Sequence, residues 1–383
     1  MHEKGNRVPA KLNNNILFYA VGDVLPERAD PLSIFQQVTP TLREADLAFC
    51  QLEANISERG VRLPQVRHTT RIQRAAAAAL KEAGFNIVSF AGNHCMDWGA
   101  EAFFDTIDAL REQSLTVLGV GHNITEARQP RIIEKNGVRV AFLAYSSILP
   151  MNFWAEENRP GCAPMRAWTH YEPIEPDQPG TPCRIHTYPH GGDLEQLVAD
   201  IKTARGHADV VIMSIHWGIH FIPAVIADYQ RIVAHVAIDA GADLILGHHA
   251  HILKGVEVYK GKPIFYSLCN FAVDLPMTPE HANSKGFREI QVLHPDWKVD
   301  FSSNYNFPPD SQKTIVVKCL INKDGVLRTS FLPAFIDATA NPRLLSRGDP
   351  KFLEVVRYIE EATSSQNLSA RFTIDGDEVV VTE

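Results

Sequence analysis

The sequence is poor in cysteine, and what it has is scattered. Six thiols (Cys50, Cys95, Cys162, Cys183, Cys269, Cys319) are spread over 383 residues with no CxxC pair. That excludes a thiolate-built structural zinc and argues for reduced thiols rather than a disulfide framework. Cys162 and Cys183 share a proline-rich stretch and are the pair an oxidising compartment could join. Long hydrophobic runs are also missing. The longest are strand-sized pieces such as residues 16–21 and 210–215, and residues 1–14 lack the apolar core of a signal peptide. The expectation is a soluble, cytoplasmic protein with no membrane partner. Nor is there an excess of basic charge: 37 Lys and Arg stand against 45 Asp and Glu, a net charge of −8. This gives no electrostatic footprint for nucleic acid and no polybasic patch for an anionic membrane.

What is present is an ordinary globular composition, 45% hydrophobic and 21% charged. Strand-like runs at 16–21, 47–52, 87–90, 115–118, 210–215 and 244–246 alternate with helical segments at 42–46, 71–83, 101–111, 194–204, 229–240 and 350–362. Hairpin signals stand at Asn136-Gly137, Lys260-Gly261 and Asp324-Gly325. Residues 150–192 are rich in proline and aromatics and read as a long irregular excursion. From about Phe287 the text turns to β segments, closed by the helix at 350–362 and a short terminal strand. The alternation predicts an α/β domain over 15–340 around a mixed, mostly parallel sheet. Residues 1–14 would be flexible and 341–383 an appendage.

The chemistry lies at the strand ends. The first strand runs into Gly22-Asp23 and the second into Glu53. The third is followed by Gly92-Asn93-His94, with Asp97 just beyond. Then come His216-Trp217-Gly218 and Gly247-His248-His249-Ala250-His251. Ligands in open α/β sheets bind outside the carboxyl ends of the strands. Five strands each deliver a carboxylate, amide or imidazole there. Singly, Asp23 reads as a turn residue, Glu53 as a surface charge and His216 as a hydrogen-bonded core histidine. Three imidazoles in the four residues 248–251 are harder to dismiss, because burying them without partners is costly. The set suits one or two divalent ions per chain, Mn, Fe or Zn. Such ions can clamp a phosphoryl group and activate water, while a nearby imidazole protonates the leaving oxygen.

These motifs, with Arg28, Trp98-Gly99 and the stretch from Glu257 to Leu268, resemble the CapA-type poly-γ-glutamate capsule-biosynthesis proteins. That family is in turn similar to the calcineurin-like metallophosphoesterases. The resemblance covers roughly residues 15 to 340 and implies a four-layer α/β/β/α sandwich. It further implies metal ligation by Asp23, Glu53 (the bridging carboxylate), Asn93 and His216, and by two of His248, His249 and His251, with the His-x-His pair 249/251 preferred. His94 would be the general acid, grouped with Asp97 and Arg28 as catalytic candidates; Arg28 would face an anionic group or simply be solvated. The chain departs from the family pattern at Leu25 (Met), Gln51 (Asn), Gly92 (Asn), His220-Phe221 (Glu-Tyr), Ala250 (Pro) and Cys269 (Gly). Leu25 also stands where the wider superfamily has an imidazole, so one well-formed metal site is expected beside a second that is weaker, differently completed or empty. His220 is open to three readings: solvent-facing, substrate-facing or an added ligand. Trp154, Trp168, His170 and Tyr171 of the long loop would either wall the pocket or pack on themselves.

Three functions are compatible with this text. The first is a metal-dependent phosphoesterase acting on an anionic small molecule or polymer. The second is anionic-polymer biosynthesis or processing through amide chemistry. The third is a non-catalytic binding module with a depleted metal site.

Overall fold

The computed structural model describes residues 15–295 and 297–383. The segment 1–14, expected to be flexible, lies outside the described residues. Among them no helix is long and apolar enough to cross a membrane.

Two mixed sheets form the centre. In the larger, Ile16–Leu25, Leu47–Leu52, Ile87–Ser89 and Thr116–Leu118 run parallel. On the other side of Ile16–Leu25 lie the antiparallel strands Lys313–Asn322, Gly325–Ile336 and the hairpin Arg371–Asp375/Glu378–Thr382. Asn270–Val273 runs parallel to the last part of Ile16–Leu25, with Asn270 opposite Asp23. Gly22 permits this approach, since a Cβ there would lie 1.9 Å from the Cys269 carbonyl oxygen. In the second sheet Val138–Ser146, Val210–His216, Leu244–His248 and Lys262–Phe265 are parallel, and Arg131–Lys135 and Val256–Tyr259 are antiparallel edges.

Side-chain alternation sets the layers. Val140, Phe142 and Ala144 face the larger sheet, and Phe142 meets Phe18 with ring centroids 5.8 Å apart. Ala141, Leu143 and Tyr145 face the other way, into a core shared with helices Gly191–His207 and Asp228–Ala240. Helices Ala75–Ala83 and Gly99–Glu112 pack their apolar faces around the larger sheet through Leu80, Ala83, Phe103 and Ile107. The result is helix, sheet, sheet, helix, the architecture expected. Each fully buried aromatic between the sheets contributes about 1.5–3 kcal/mol relative to exposure.

Asn136-Gly137 and Lys260-Gly261 both take positive φ, as a two-residue hairpin requires. Four expectations need correcting. Residues 150–192 are not wholly irregular, because Ala167–Pro173 and Cys183–Pro189 pair as a hairpin. Its large apolar side chains, Trp168, Tyr171, Ile185 and Tyr188, are exposed and do not alternate along the strands, so it carries no period-two signal. The β segments read from about Phe287 begin only at Lys313, where Lys313–Asn322 and Gly325–Ile336 pair around Asp324-Gly325; before them Lys285–Leu293 is a helix starting at Ser284, whose side chain accepts the Phe287 N–H. The predicted helix at 71–83 begins only at Ala75, Arg71–Ile72 pairing with Asn55–Ile56 instead. The segment after 340 joins the main body: helix Pro350–Ser365 buries Phe352, Val355 and Ile359 in the central core, and the last hairpin extends the larger sheet. All six cysteines are free, with Cys162 buried and Cys183 exposed.

Candidate metal centre

Parallel strands end together, and here both sheets bring their carboxyl ends to one edge. The larger sheet contributes Asp23, Glu53, Asn93 and His94; the second contributes His216, His248, His249 and His251. Asp23, Glu53, His216 and His248 are almost wholly buried, with exposures of 0–2%.

The donors fall into two groups. In the first, ligand atoms of Asp23, Glu53 and His251 lie within 4.8 Å of one another, and His251 Nδ1 is 3.4 Å from Asp23 Oδ2. In the second, His216 Nε2 lies 2.7 Å from Asn93 Oδ1 and 3.1 Å from His249 Nδ1. Glu53 stands between them, its Oε1 3.5 Å from His216 Nδ1. His248 sits beside Asp23, Nδ1 to Oδ1 3.3 Å, and stacks near Phe49. The His-x-His pair is thus split, His251 beside the carboxylates and His249 beside the amide and His216. Both adopt left-handed backbone, φ 53° and 85°, which turns two alternate side chains after a strand towards the same space.

The polar accounting of this space does not close within the protein. Asp23 Oδ1, both Glu53 oxygens, His216 Nδ1 and both His248 nitrogens are buried without a hydrogen-bond partner. Orphans of this kind cost roughly 1–3 kcal/mol each, and their concentration here marks the space as a candidate ligand site. Burial, and then the charges of Asp23 and Asp97, push the Glu53 carboxyl well above its usual range. Burial and neighbouring imidazoles hold His216 and His249 well below theirs. Neutral imidazoles beside carboxylates, with no thiolate, are a donor set that fits a divalent cation of the Mn, Fe or Zn type.

His94 is set apart from the donors. Its Nδ1 lies 2.8 Å from Asp97 Oδ2, which also accepts the Thr70 backbone N–H at 2.8 Å. A carboxylate at Nδ1 favours a proton there and leaves Nε2 for a reaction partner. Asp97 therefore positions the ring. Arg28 is placed differently from its expected role. Its guanidinium clasps Asp274 (2.6 and 2.9 Å) and also donates to Asn341 and the Thr339 carbonyl, which occupies it as a structural tie. The loop aromatics do not wall the centre: Trp168 packs at a tilt against His190, Trp154 donates to Glu156, His170 packs beside His186 and Tyr171 is exposed.

Asn270 escaped the sequence reading. It is fully buried and its Oδ1 lies 2.7 Å from His251 Nδ1. The signal was there: a lone amide inside the apolar run 268–273. His68 escaped too. It stacks on His281 with centroids 4.9 Å apart and meets His94 edge-on at 6.1 Å. Burial lowers its pKa to about 3.

The profile of the bacterial capsule synthesis protein PGA_cap matches residues 15–275. The chain belongs to this family. It is 31% identical over 244 residues to the PGA biosynthesis protein CapA of Bacillus subtilis, covering 63% of this chain and 57% of that one. To the capsule biosynthesis protein CapA of Bacillus anthracis it is 30% identical over 251 residues, covering 63% and 54%. The chain thus spans a little over half the length of these relatives. Among solved structures it is similar to the calcineurin-like phosphoesterase YfkN of Bacillus subtilis, with 13% identity, a TM-score of 0.41, and coverage of 92% and 97%.

Three of the positions at which the sequence departs from the text the resemblance implies, Cys269, Gln51 and Gly92, acquire a physical account. Cys269 stands at φ 65°, where glycine is the unstrained choice, and its Sγ donates to the His251 carbonyl at 3.2 Å. A Cβ on Gly92 would lie 3.1 Å from Gln51 Nε2. The longer Gln51 amide thus fills the room that a side chain at 92 would need.

Proposed function

We propose that the chain is a metal-dependent hydrolase of phosphoesters, acting on an anionic small molecule or polymer. The observation that carries this reading is the convergence of partnerless buried carboxylate and imidazole atoms beside His94, itself held by Asp97. Asp23, Glu53 and His251 would hold one divalent ion, and Asn93, His216 and His249, with Glu53, a second. Bound there, such ions lower the pKa of water and offset phosphoryl charge. The chain's own residues do the rest. His216 Nε2 and Asn93 Oδ1 stand 2.7 Å apart, so these two donors of the second group converge on one space. Asn270 fixes the ring of His251 from outside the donor set. As the doubly protonated imidazolium, with its Nδ1 proton held by Asp97, His94 delivers the Nε2 proton to the leaving oxygen as water attacks phosphorus in line, and is left neutral.

Protein stripped of metal and reloaded with Mn, Fe or Zn should hydrolyse an activated phosphoester, with Asp23→Ala and His94→Ala each lowering kcat on the order of a hundredfold. Reloaded wild type inert towards a broad phosphoester panel would sink this reading.

Membership of a family whose relatives carry poly-γ-glutamate and capsule biosynthesis in their names favours a second reading, amide chemistry on an anionic polymer. Cleavage or joining of γ-linked glutamate oligomers by the same preparations, without phosphoester turnover, would select it.

A further inference from the structure

The polar groups beside the centre are not all accounted for by the metal donors and His94. Residues 62–70 run past His94, and Thr70 pins their end. Its N–H donates at 2.8 Å to Asp97 Oδ2, the oxygen that also holds His94 Nδ1, and its hydroxyl donates to the Glu53 carbonyl at 2.6 Å. The Thr70 carbonyl in turn accepts the Trp98 indole N–H at 3.1 Å. Two residues earlier, this anchored segment sets His68 beside the acid. The rings of His68 and His94 are perpendicular, at 89°, with centroids 6.1 Å apart.

The neighbour of His68 on the other side is His281, from the short helix Pro279–Ala282, stacked on it at 4.9 Å and 16°. Phe287 backs His281 at 6.2 Å and packs on Trp297 at 5.2 Å, in a small apolar cluster that includes Phe221 and Ala250, the residue between His249 and His251. Packing on the centre therefore places both imidazoles, from segments outside the strand-end motifs. Their ring nitrogens have no hydrogen-bond partner among the described residues, and they open on accessible space rather than into the core. Burial holds both rings towards the neutral form, in which each offers one N–H and one lone pair. With their faces against each other, the rings present their nitrogen-bearing edges.

Arg62 adds charge here. Its Nη2 donates to the Val66 and Arg67 carbonyls at 3.0 and 3.3 Å, which lays the guanidinium along the segment leading to His68. It has no carboxylate partner among the described residues, whereas Arg28 and Arg59 each clasp an aspartate. The titratable and charged groups that act on His68 are His94, His281, His251 and Arg62, none of them acidic. In a chain of net charge −8, an unneutralised guanidinium and two unpartnered imidazoles beside the proton donor form a cradle for an anion.

We propose that Arg62, His68 and His281 bind the leaving portion of the substrate, and that this portion carries an anionic group of its own. The inference rests on the phosphoester reading above, in which the leaving oxygen takes its proton from His94. Whatever is bonded to that oxygen lies next to the ring that stands 6.1 Å from the acid. The substrate class narrows from phosphoesters at large to those whose alcohol is itself anionic.

The test reads binding rather than turnover. Zinc-loaded full-length protein is titrated by calorimetry with meta-carboxybenzylphosphonate and meta-carbamoylbenzylphosphonate, which have no ester bond to break and differ only in that charge. Wild type should bind the carboxylate about tenfold more tightly, the worth of one charge-assisted hydrogen bond. The preference should fall to about twofold or less in Arg62→Gln and in His68→Phe, which keeps a ring stacked on His281 without the nitrogens. His68→Asn is the second variant at that position, and circular dichroism checks the fold of all three. Equal affinity of wild type for the two analogues overturns the inference, as do folded variants that keep the preference or weaken both analogues alike. Wild type that takes up no zinc, or that binds neither analogue, overturns the phosphoester reading itself, so the two failures are told apart.

Discussion

Gln51 and Gly92 occupy one another's space. The glutamine amide donates to the carbonyls of Leu52 and Ala91, both at 3.3 Å, across the position where a side chain at 92 would begin. Two departures from the family pattern therefore act as one. Gly92→Asn alone should cost about 1–3 kcal/mol in a denaturant melt, because it overpacks a closed site. Gln51→Asn added to it should recover most of that loss, a coupling of at least about 1 kcal/mol. Strictly additive effects would show that the two side chains do not compete. Residue-level chemistry of this sort is invisible in single-sequence reading, where Gln51 is one more residue of a strand. The carboxylates and imidazoles, by contrast, announced themselves, since Asp23, Glu53, His216 and His248 are polar groups at the ends of apolar runs.

At the scale of an element, the loop of residues 217–227 depends on Lys254. Burial lowers its pKa from 10.5 to about 7. A neutral amine still has N–H groups for the Ile222 and Val225 carbonyls. The unfolded chain keeps the proton up to pH 10.5 and the folded chain releases it near pH 7, so between those values the unfolded state binds more protons. Stability should rise with pH across that window and fall as pH drops through 7, with a slope of at most about 1.4 kcal/mol per unit. Denaturant melts of wild type minus Lys254→Met, from pH 6.5 to 10, should show this rise. A flat difference would mean that the lysine keeps its ordinary pKa. Elements with one apolar face were legible: the helices at Gly191–His207 and Asp228–Ala240 and the Asn136-Gly137 hairpin stand close to where periodicity and turn chemistry put them. The hairpin Ala167–Pro173/Cys183–Pro189 was not, because its apolar side chains (Trp168, Tyr171, Ile185, Tyr188) are exposed rather than packed on a core and do not alternate along the strands.

At the scale of the molecule, the centre gathers buried carboxylate and imidazole atoms that have no hydrogen-bond partner. Asp23 and Glu53 are forced together in a dry edge between two sheets. A cation that binds only the folded state should therefore raise Tm, and at a hundred times its Kd should add about 2.7 kcal/mol. Asp23→Asn should raise the Tm of the chelated protein and abolish the gain on adding Mn2+ or Zn2+. Thermal melts with and without chelator decide this, and a metal-independent Tm for the wild type would contradict it. By itself the sequence determined the local rules: which runs are strands, where turns must have positive φ, and that oxygen and imidazole donors gather at strand ends. Those properties depend on near neighbours and on side-chain type. Only the tertiary structure decided which donors meet. Asp23 and His251 are more than two hundred residues apart and stand 3.4 Å from each other because two sheets stack with their carboxyl edges aligned. The same packing ties Arg28 to Asp274, splits His249 from His251, and lays His220 on both. Contacts across layers follow from how the sheets pack and twist, a global property that no local window of sequence contains.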